Sequence, residues 1–408
     1  MAKTVAVVGT LDTKGPEFEF LKQQIEARGH RCIVIDAGVL GPPHFTPDVT
    51  RDEVANAGDS NIADLVARND RGHAITVMAE GAANVVRGLY DQGRIDGVVS
   101  LGGSAGTTIG TTAMRLLPAG VPKVMVSTLA SGNTRPYVGT KDLTMTYSIV
   151  DIAGLNRLSR KVIANAAGAV CGMVETQVPP TEDKPLIGAT MFGVTTPCVT
   201  RVRQALEQNG YEVLVFHATG TGGQAMEGLI EDGFISAVAD ITTTEWVDEV
   251  CGGVLSAGPT RLDAAAKKGI PQVVVPGALD MCNFGPMDTV PDHYKHRNLY
   301  VHNPTVTLMR TTPEEAAKIG EIIGSKVSAA KGPTVVIVPL KGVSAIDAPG
   351  KPFYAPDSNE ALFNALRRSV KPPARLVEMD YHINAPEFAD QVASMLLDFI
   401  GRQEVGNR

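Results

Sequence analysis

Residues 102–107 read Gly-Gly-Ser-Ala-Gly-Thr and follow directly on the run Val98-Val99-Ser100-Leu101. A strand that stops in glycines and hydroxyls suits an anion, because it offers bare backbone N–H groups where a helix begins. The plainer reading is that the glycines only permit a tight strand-to-helix turn. Other polar residues follow apolar runs in the same way. Thr10, Asp12, Thr13 and Lys14 lie in GTLDTKG after the first run, and Asp36 ends the second. Ser127, Thr128, Ser131 and Gly132 follow a later one. If these runs are parallel strands, their carboxyl ends form the edge where open sheets bind ligands. Gly102, Gly103, Ser104, Gly106 and Thr107 then meet Thr10, Thr13 and Lys14 on one rim, a set suited to a polyphosphate. Each has a structural alternative: Lys14 as a hydrated surface lysine, Asp12 as a helix N-cap. Asp36 stands where dinucleotide folds keep a ribose-binding acid, yet no GxGxxG accompanies it, and no GxxxxGK[ST] occurs.

The second half carries different chemistry at corresponding positions. FHATGTGGQAMEG supplies His217, Thr219, Gly220, Gly222, Gly223 and Glu227, and ITTTEW supplies Thr242–Thr244 and Glu245. PGALDMCNFGP adds Asp280 and Asn283, and MDYHINAPE adds His382 and Asn384. His217 with Glu245 or Asp280 makes an acid–base pair if the fold brings them within hydrogen-bonding distance; alternatively His217 bonds a carbonyl. His293 and His296 form an HxxH that either ligates a metal or lies solvated in a loop.

These residues need elements to place them. KTVAVVGT, EFEFLKQQIEARG and HRCIVIDAG read as buried strand, amphipathic helix ending at glycine, and buried strand. KPLIGATMFGVTT, CVTRVRQALEQNG and YEVLVFHATG repeat that plan, which indicates parallel βαβ units in each half. GVVSLGGSAGT corresponds to SAVADITTTEW, and VPKVMVSTLASG to IPQVVVPGALD. ETQVPPTEDKP at 175–185 divides the halves, giving domains 1–178 and 184–408. The expectation is two Rossmann-like, doubly wound α/β domains with an interdomain cleft. Ile75, Met78, Ala79, Ala82, Val85, Val86 and Leu89 define one apolar helix face, with Met78 in the core and Glu80 solvated. A further helix is expected from about Asp151 to Ala169, carrying Leu155, Leu158, Val162 and Ala166.

Bulk properties exclude several classes. The 408 residues hold 37 basic and 44 acidic side chains, net −7, with no basic run to track nucleic acid. Five scattered cysteines without a CxxC fit reduced thiols and neither a disulfide framework nor a cysteine zinc site. MAKTVAVVGT enters a strand without a signal peptide, and no apolar stretch is long enough to span a bilayer. A cytoplasmic globular protein without a membrane partner is expected.

The chain also resembles a family of ATP-binding proteins that includes the N-terminal inhibitory domain of tomato's tobamovirus-resistance protein and bacterial relatives. GTLDTKG, GVVSLGGSAGT, VPKVMVSTLASG, YVGTKDLT, SIVDIAGLN, FGVTTPCV, FHATGTGGQAMEGLI, TTTE, GALDMCNFGP and VTLMRTT carry it, from near the N-terminus to beyond residue 310. The resemblance implies ATP, with magnesium, on the N-terminal domain, and a homodimer. Thr13 and Lys14 follow strand one; Gly102–Thr107 receive phosphates, and Ser127 to Gly132 flank the nucleotide. Ala105 stands where relatives often have glycine. Three functions follow as expectations. One is a nucleotide-binding enzyme whose small-molecule pocket is lined by His217, Thr219, Gly222, Gly223, Glu227, Glu245, Asp280 and Asn283. The others are a glycosyltransferase-like nucleotide-sugar enzyme and a non-catalytic, ATP-occupied interaction protein.

Overall fold

The computed structural model describes residues 2–179 and 183–406. The chain parts into two units, Met1–Pro180 and Thr181–Arg408; residues 180–182 of the 175–185 segment lie outside the described residues.

The first unit alternates strand and helix: β1 (Thr4–Gly9), α1 (Gly15–Glu26), β2 (Arg31–Asp36), α2 (Arg51–Ala57), α3 (Ile62–Arg68), α4 (Arg71–Asp91), β3 (Gly97–Gly102), α5 (Ser104–Arg115), β4 (Lys123–Ser127), α6 (Arg135–Val138), β5 (Thr144–Tyr147) and α7 (Arg157–Glu175). Its five strands are all parallel, in the order β2-β1-β3-β4-β5. Ala6 of β1 pairs with Ile33 on one side and Val98 on the other. The chain thus reverses its winding between β1 and β3, which opens a crevice at the strands' carboxyl ends. Both sheet faces are covered, which is why the strands read as continuous apolar runs. Val5, Val7, Val99 and Val124 pack on α1 and α7, and Ala6, Val8, Val98 and Met125 pack on α2, α4 and α5.

Helix α7 starts six residues later than the periodicity suggests. Asn156 Oδ1 accepts the N–H groups of Leu158 and Ser159 at 2.9 Å, while Ser159 Oγ accepts the Asn156 N–H at 2.8 Å. That reciprocal cap sets the helix start. Leu155 precedes the helix and Leu158 is exposed, so the buried stripe is Val162, Ile163, Ala166 and Val170.

The second unit comprises β6 (Leu186–Met191), α8 (Thr196–Gln208), β7 (Glu212–His217), α9 (Thr221–Glu231), β8 (Ile235–Thr242), α10 (Glu245–Cys251), α11 (Asp263–Lys268), β9 (Gln272–Gly277), β10 (Met281–Phe284), β11 (Leu299–Asn303), β12 (Val306–Arg310), α12 (Pro313–Ser328), β13 (Thr334–Pro339), α13 (Pro356–Ser369), β14 (Arg375–Met379) and α14 (Pro386–Gly406). Its main sheet is parallel, β14-β13-β9-β8-β6-β7. The strand plan of the first unit therefore recurs, with β6 between β7 and β8 as β1 lies between β2 and β3. An antiparallel sheet, β10-β12-β11, is inserted between β9 and β13. Among the described residues no helix is long and apolar enough to cross a membrane.

Candidate functional site

A cavity of about 860 Å³ opens at the carboxyl edge of the first unit's sheet. Thr10, Asp12, Thr13 and Lys14 line it beyond β1, Gly102–Gly106 beyond β3, and Thr128 beyond β4. Helix α5 begins there with Gly103 as its N-cap, and no side chain caps it. An uncapped α-helix leaves its first-turn N–H groups without intrahelical acceptors and the positive end of its dipole exposed. The three glycines differ in duty. A Cβ on Gly102 would stand 2.8 Å from Gly106 Cα, and one on Gly106 3.1 Å from the Leu101 carbonyl oxygen. Those two make the turn possible. A Cβ on Gly103 would meet only Thr128 Oγ1, at 3.8 Å, so this position keeps space open.

Lys14 is the N-cap of α1, but its ammonium has no hydrogen bond or ion pair among the described residues. Thr10 Oγ1 and Thr13 Oγ1 share a hydrogen bond of 2.9 Å. Asp12 Oδ2 accepts the N–H groups of Leu40 (2.7 Å) and Gly41 (3.3 Å), which ties the loop after β2 to the loop after β1. Its Oδ1 is buried without a partner.

Not every expected residue reaches the cavity. Asp36 is fully buried, and its Oδ1 accepts the N–H groups of Leu11 (3.1 Å) and Gly38 (2.9 Å). Burial pushes its carboxyl above the usual range, and those two donors oppose the shift. Its Oδ1 braces the strand-end loops, its Oδ2 is buried without a partner, and the carboxylate does not line the cavity, a correction to the expected ligand contact. Thr107 and Ser127 are likewise buried and share a 2.7 Å hydrogen bond that ties α5 to the end of β4. Ser131 and Gly132 are exposed and do not line the cavity. The remaining wall is aliphatic: Val39, Leu65, Val66, Ala74, Ile75, Met78 and Ile109, with Asn69, Asp70 and Arg71 at the α3–α4 corner.

The second unit's strand ends are filled by its own side chains. Glu245 is buried; its Oε1 accepts the N–H groups of Gly220 (2.7 Å) and Gly223 (3.0 Å), and its Oε2 accepts from Arg261 Nε at 2.7 Å. Arg261 also makes a two-pronged contact with Asp240, at 2.6 and 2.7 Å. Burial works against its charge, but Asp240, Glu245 and Glu227 outweigh that and hold its pKa well above the usual value. Asp280 is buried and accepts from Ser344 Oγ at 2.7 Å. His217 is exposed and stacks on Phe192, with ring centroids 5.4 Å apart. The acid–base pair expected of His217 with Glu245 or Asp280 is not formed: His217 makes no hydrogen bond to either carboxylate among the described residues, both oxygens of Glu245 are committed to buried partners, and Asp280 is buried with Oδ2 on Ser344 and Oδ1 without a partner.

The other expected contacts there also serve the scaffold. Glu227 accepts the N–H groups of Leu262 and Ala264 at 2.7 Å, at the start of α11. Thr219 Oγ1 donates to the His217 carbonyl at 3.2 Å. A Cβ on Gly222 would stand 1.8 Å from that carbonyl oxygen, and one on Gly223 2.2 Å from Glu245 Oε2. Asn283 Nδ2 donates to Asp248 Oδ2 at 2.7 Å. Thr243 and Thr244 donate to the carbonyls of Val275 and Met281. His382 accepts the Asn384 N–H at Nδ1, so Nε2 donates to the Ser344 carbonyl at 2.9 Å. His293 and His296 are exposed; among the described residues no group of three or more His, Cys, Asp or Glu could hold a metal.

Two family descriptions, the N-terminal and C-terminal domains of Uncharacterised protein family (UPF0261), match residues 3–179 and 184–400. The chain belongs to UPF0261. A UPF0261 protein of Clostridium tetani is 57% identical over 402 residues, covering 98% of this chain and 100% of that one. The tomato (Solanum lycopersicum) ToMV resistance protein Tm-1(GCR237) is 39% identical over 420 residues, covering 97% of this chain but 55% of its own length. Among solved structures, the Streptomyces glycosyltransferase SsfS6 complexed with thymidine diphosphate is 13% identical with a TM-score of 0.20, covering 97% of this chain and 96% of that one. The UDP-N-acetylglucosamine 2-epimerase from Rickettsia bellii is 9% identical at 0.23, covering 98% and 96%.

In this UPF0261 chain the aliphatic wall and the α3–α4 corner escaped sequence reasoning. A signal existed for part of them: Arg71, Ala74, Ile75 and Met78 are spaced for one helix stripe. Arg261 carried no signal, since its carboxylate partners lie 16, 21 and 34 residues away in the chain.

Proposed function

We propose that the first unit binds a nucleoside triphosphate of the ATP class together with magnesium. The phosphates meet the start of α5, and the base lies toward the aliphatic wall. One observation carries this reading: the uncapped α5 N-terminus and the unpartnered Lys14 ammonium line the same cavity of about 860 Å³. First-turn amides and the helix dipole favour an anion, and Lys14 adds a full charge. The free Asp12 Oδ1 and the hydroxyls of Thr10 and Thr13 are oxygen donors of the kind magnesium takes beside phosphates. The cavity volume lies within the range of small-molecule sites. A homodimer in the cytoplasm, using the nucleotide on a small molecule, belongs to the same proposal. His217, Glu245 and Asp280 lend it no assembled catalytic group, so binding is what it rests on. A glycosyltransferase would need a donor site on the second unit, where Glu245 and the threonines before it are already buried and bonded.

Calorimetry of the full chain with ATP, with and without magnesium, tests the proposal. The wild type binds ATP. Gly103→Val fills the open position without a backbone clash and weakens binding at least about tenfold, with an unchanged melting temperature. Absence of binding by the wild type at several millimolar ATP would sink the reading.

A further inference from the structure

We propose that Arg71 lays its guanidinium over the planar base of the nucleotide and sets how tightly the base is held, independently of the phosphates. This rests on the nucleotide reading above. Arg71, Ala74, Ile75 and Met78 stand three, four and seven positions apart on α4, hence on one stripe, and all four line the cavity. The aliphatic three form wall, and Arg71 ends the stripe at the helix's first residue.

Nothing within the fold accounts for a cation at that place. Arg71 has no hydrogen bond or ion pair among the described residues. The neighbouring Asp70 accepts the His73 N–H at 3.0 Å and lies 3.9 Å from Arg68 Nε. A positive charge at the start of a 21-residue helix opposes the macrodipole; the acidic group beside it, the N-cap carboxylate of Asp70, is bonded to the His73 N–H and makes no ion pair with Arg71 among the described residues. The cavity lining holds no aromatic ring that could stack on a base. A guanidinium is flat, weakly hydrated and always charged, and it stacks on the faces of nucleobases. With Arg71 over one face and aliphatic side chains beside the other, the base is gripped without a ring.

The test compares ATP with inorganic triphosphate, which has no base, by calorimetry on the full-length wild type, Arg71→Ala and Arg71→Lys. Because the side chain is exposed and unbonded, both variants are expected to melt as the wild type does. The wild type binds ATP more tightly than triphosphate. Arg71→Ala weakens ATP about tenfold and leaves triphosphate unchanged, and Arg71→Lys fails to restore ATP because it lacks the plane. Equal weakening of both ligands, with partial rescue by lysine, would make Arg71 a phosphate contact and overturn the proposal. Unchanged affinity for both ligands would overturn it too, leaving the nucleotide reading intact. A wild type that binds neither ligand would remove both.

Discussion

Arg261 is buried against Asp240, Glu245 and Glu227, and every one of those carboxylates is also bonded elsewhere: Asp240 to Thr190, Glu245 to Gly220 and Gly223, Glu227 to Leu262 and Ala264. Removing one member of such a network leaves uncompensated charge in a dry interior. Arg261→Met should destabilise the second unit by about 3–5 kcal/mol in urea unfolding. Asp280 makes a second, pH-dependent case. Burial, then the nearby Asp347 carboxylate, push its pKa from 3.8 to about 7, against Arg310 and the Ser344 hydroxyl. A carboxyl raised on folding holds its proton in the native state while the unfolded chain has lost it. The stability it contributes is present at low pH and falls as pH rises from about 4 to 7. Melting temperature measured against pH should show this decline in the wild type, and Asp280→Asn should flatten that part of it. An unaltered slope in the variant would place the titration on another group, such as Asp248, which burial also raises to about 7.

The strand-to-helix turn at the end of β3 shows how far a local pattern reaches. Glycines at 102, 103 and 106 were legible as a turn and as a possible anion cradle, but the sequence did not distinguish their duties. Close approach of the two backbones demands Gly102 and Gly106, whereas Gly103 borders empty space. Gly102→Ala should therefore cost about 1–3 kcal/mol of stability, with Gly103→Val costing affinity instead; equal melting of the two variants would refute that division. Helix α7 offers a cleaner case: Asn156→Ala removes the acceptor for two first-turn N–H groups. A loss of about 1 kcal/mol in chemical unfolding is expected. The apolar spacing located this helix but overran its start, because a capping exchange between Asn156 and Ser159 decides where helical geometry begins.

At the scale of the whole chain, nucleotide binding has a local signature. With ATP at 100 times its Kd, linkage stabilises the binding unit by about 2.7 kcal/mol. Hydrogen exchange should slow in α1, α4 and α5 while the second unit's β8 and α10 stay unchanged. Protection in both units alike would contradict a site confined to the first. Two doubly wound units on one strand plan were readable from sequence, since strands buried on both faces must be continuously apolar and each β1-α1-β2 opening repeats that run. So was the set of loops that carries Thr10, Lys14, Gly103 and Thr128, because parallel strands put all their carboxyl ends on one edge. Only tertiary structure decided which polar residues remain available at that edge. Asp36, Thr107, Ser127, Glu245 and Asp280 have the right chemistry in the right places, yet each is held by groups distant in the chain. Local sequence encodes periodicity and turns, whereas the desolvation and pairing of a buried polar group depend on neighbours that only the folded chain assembles.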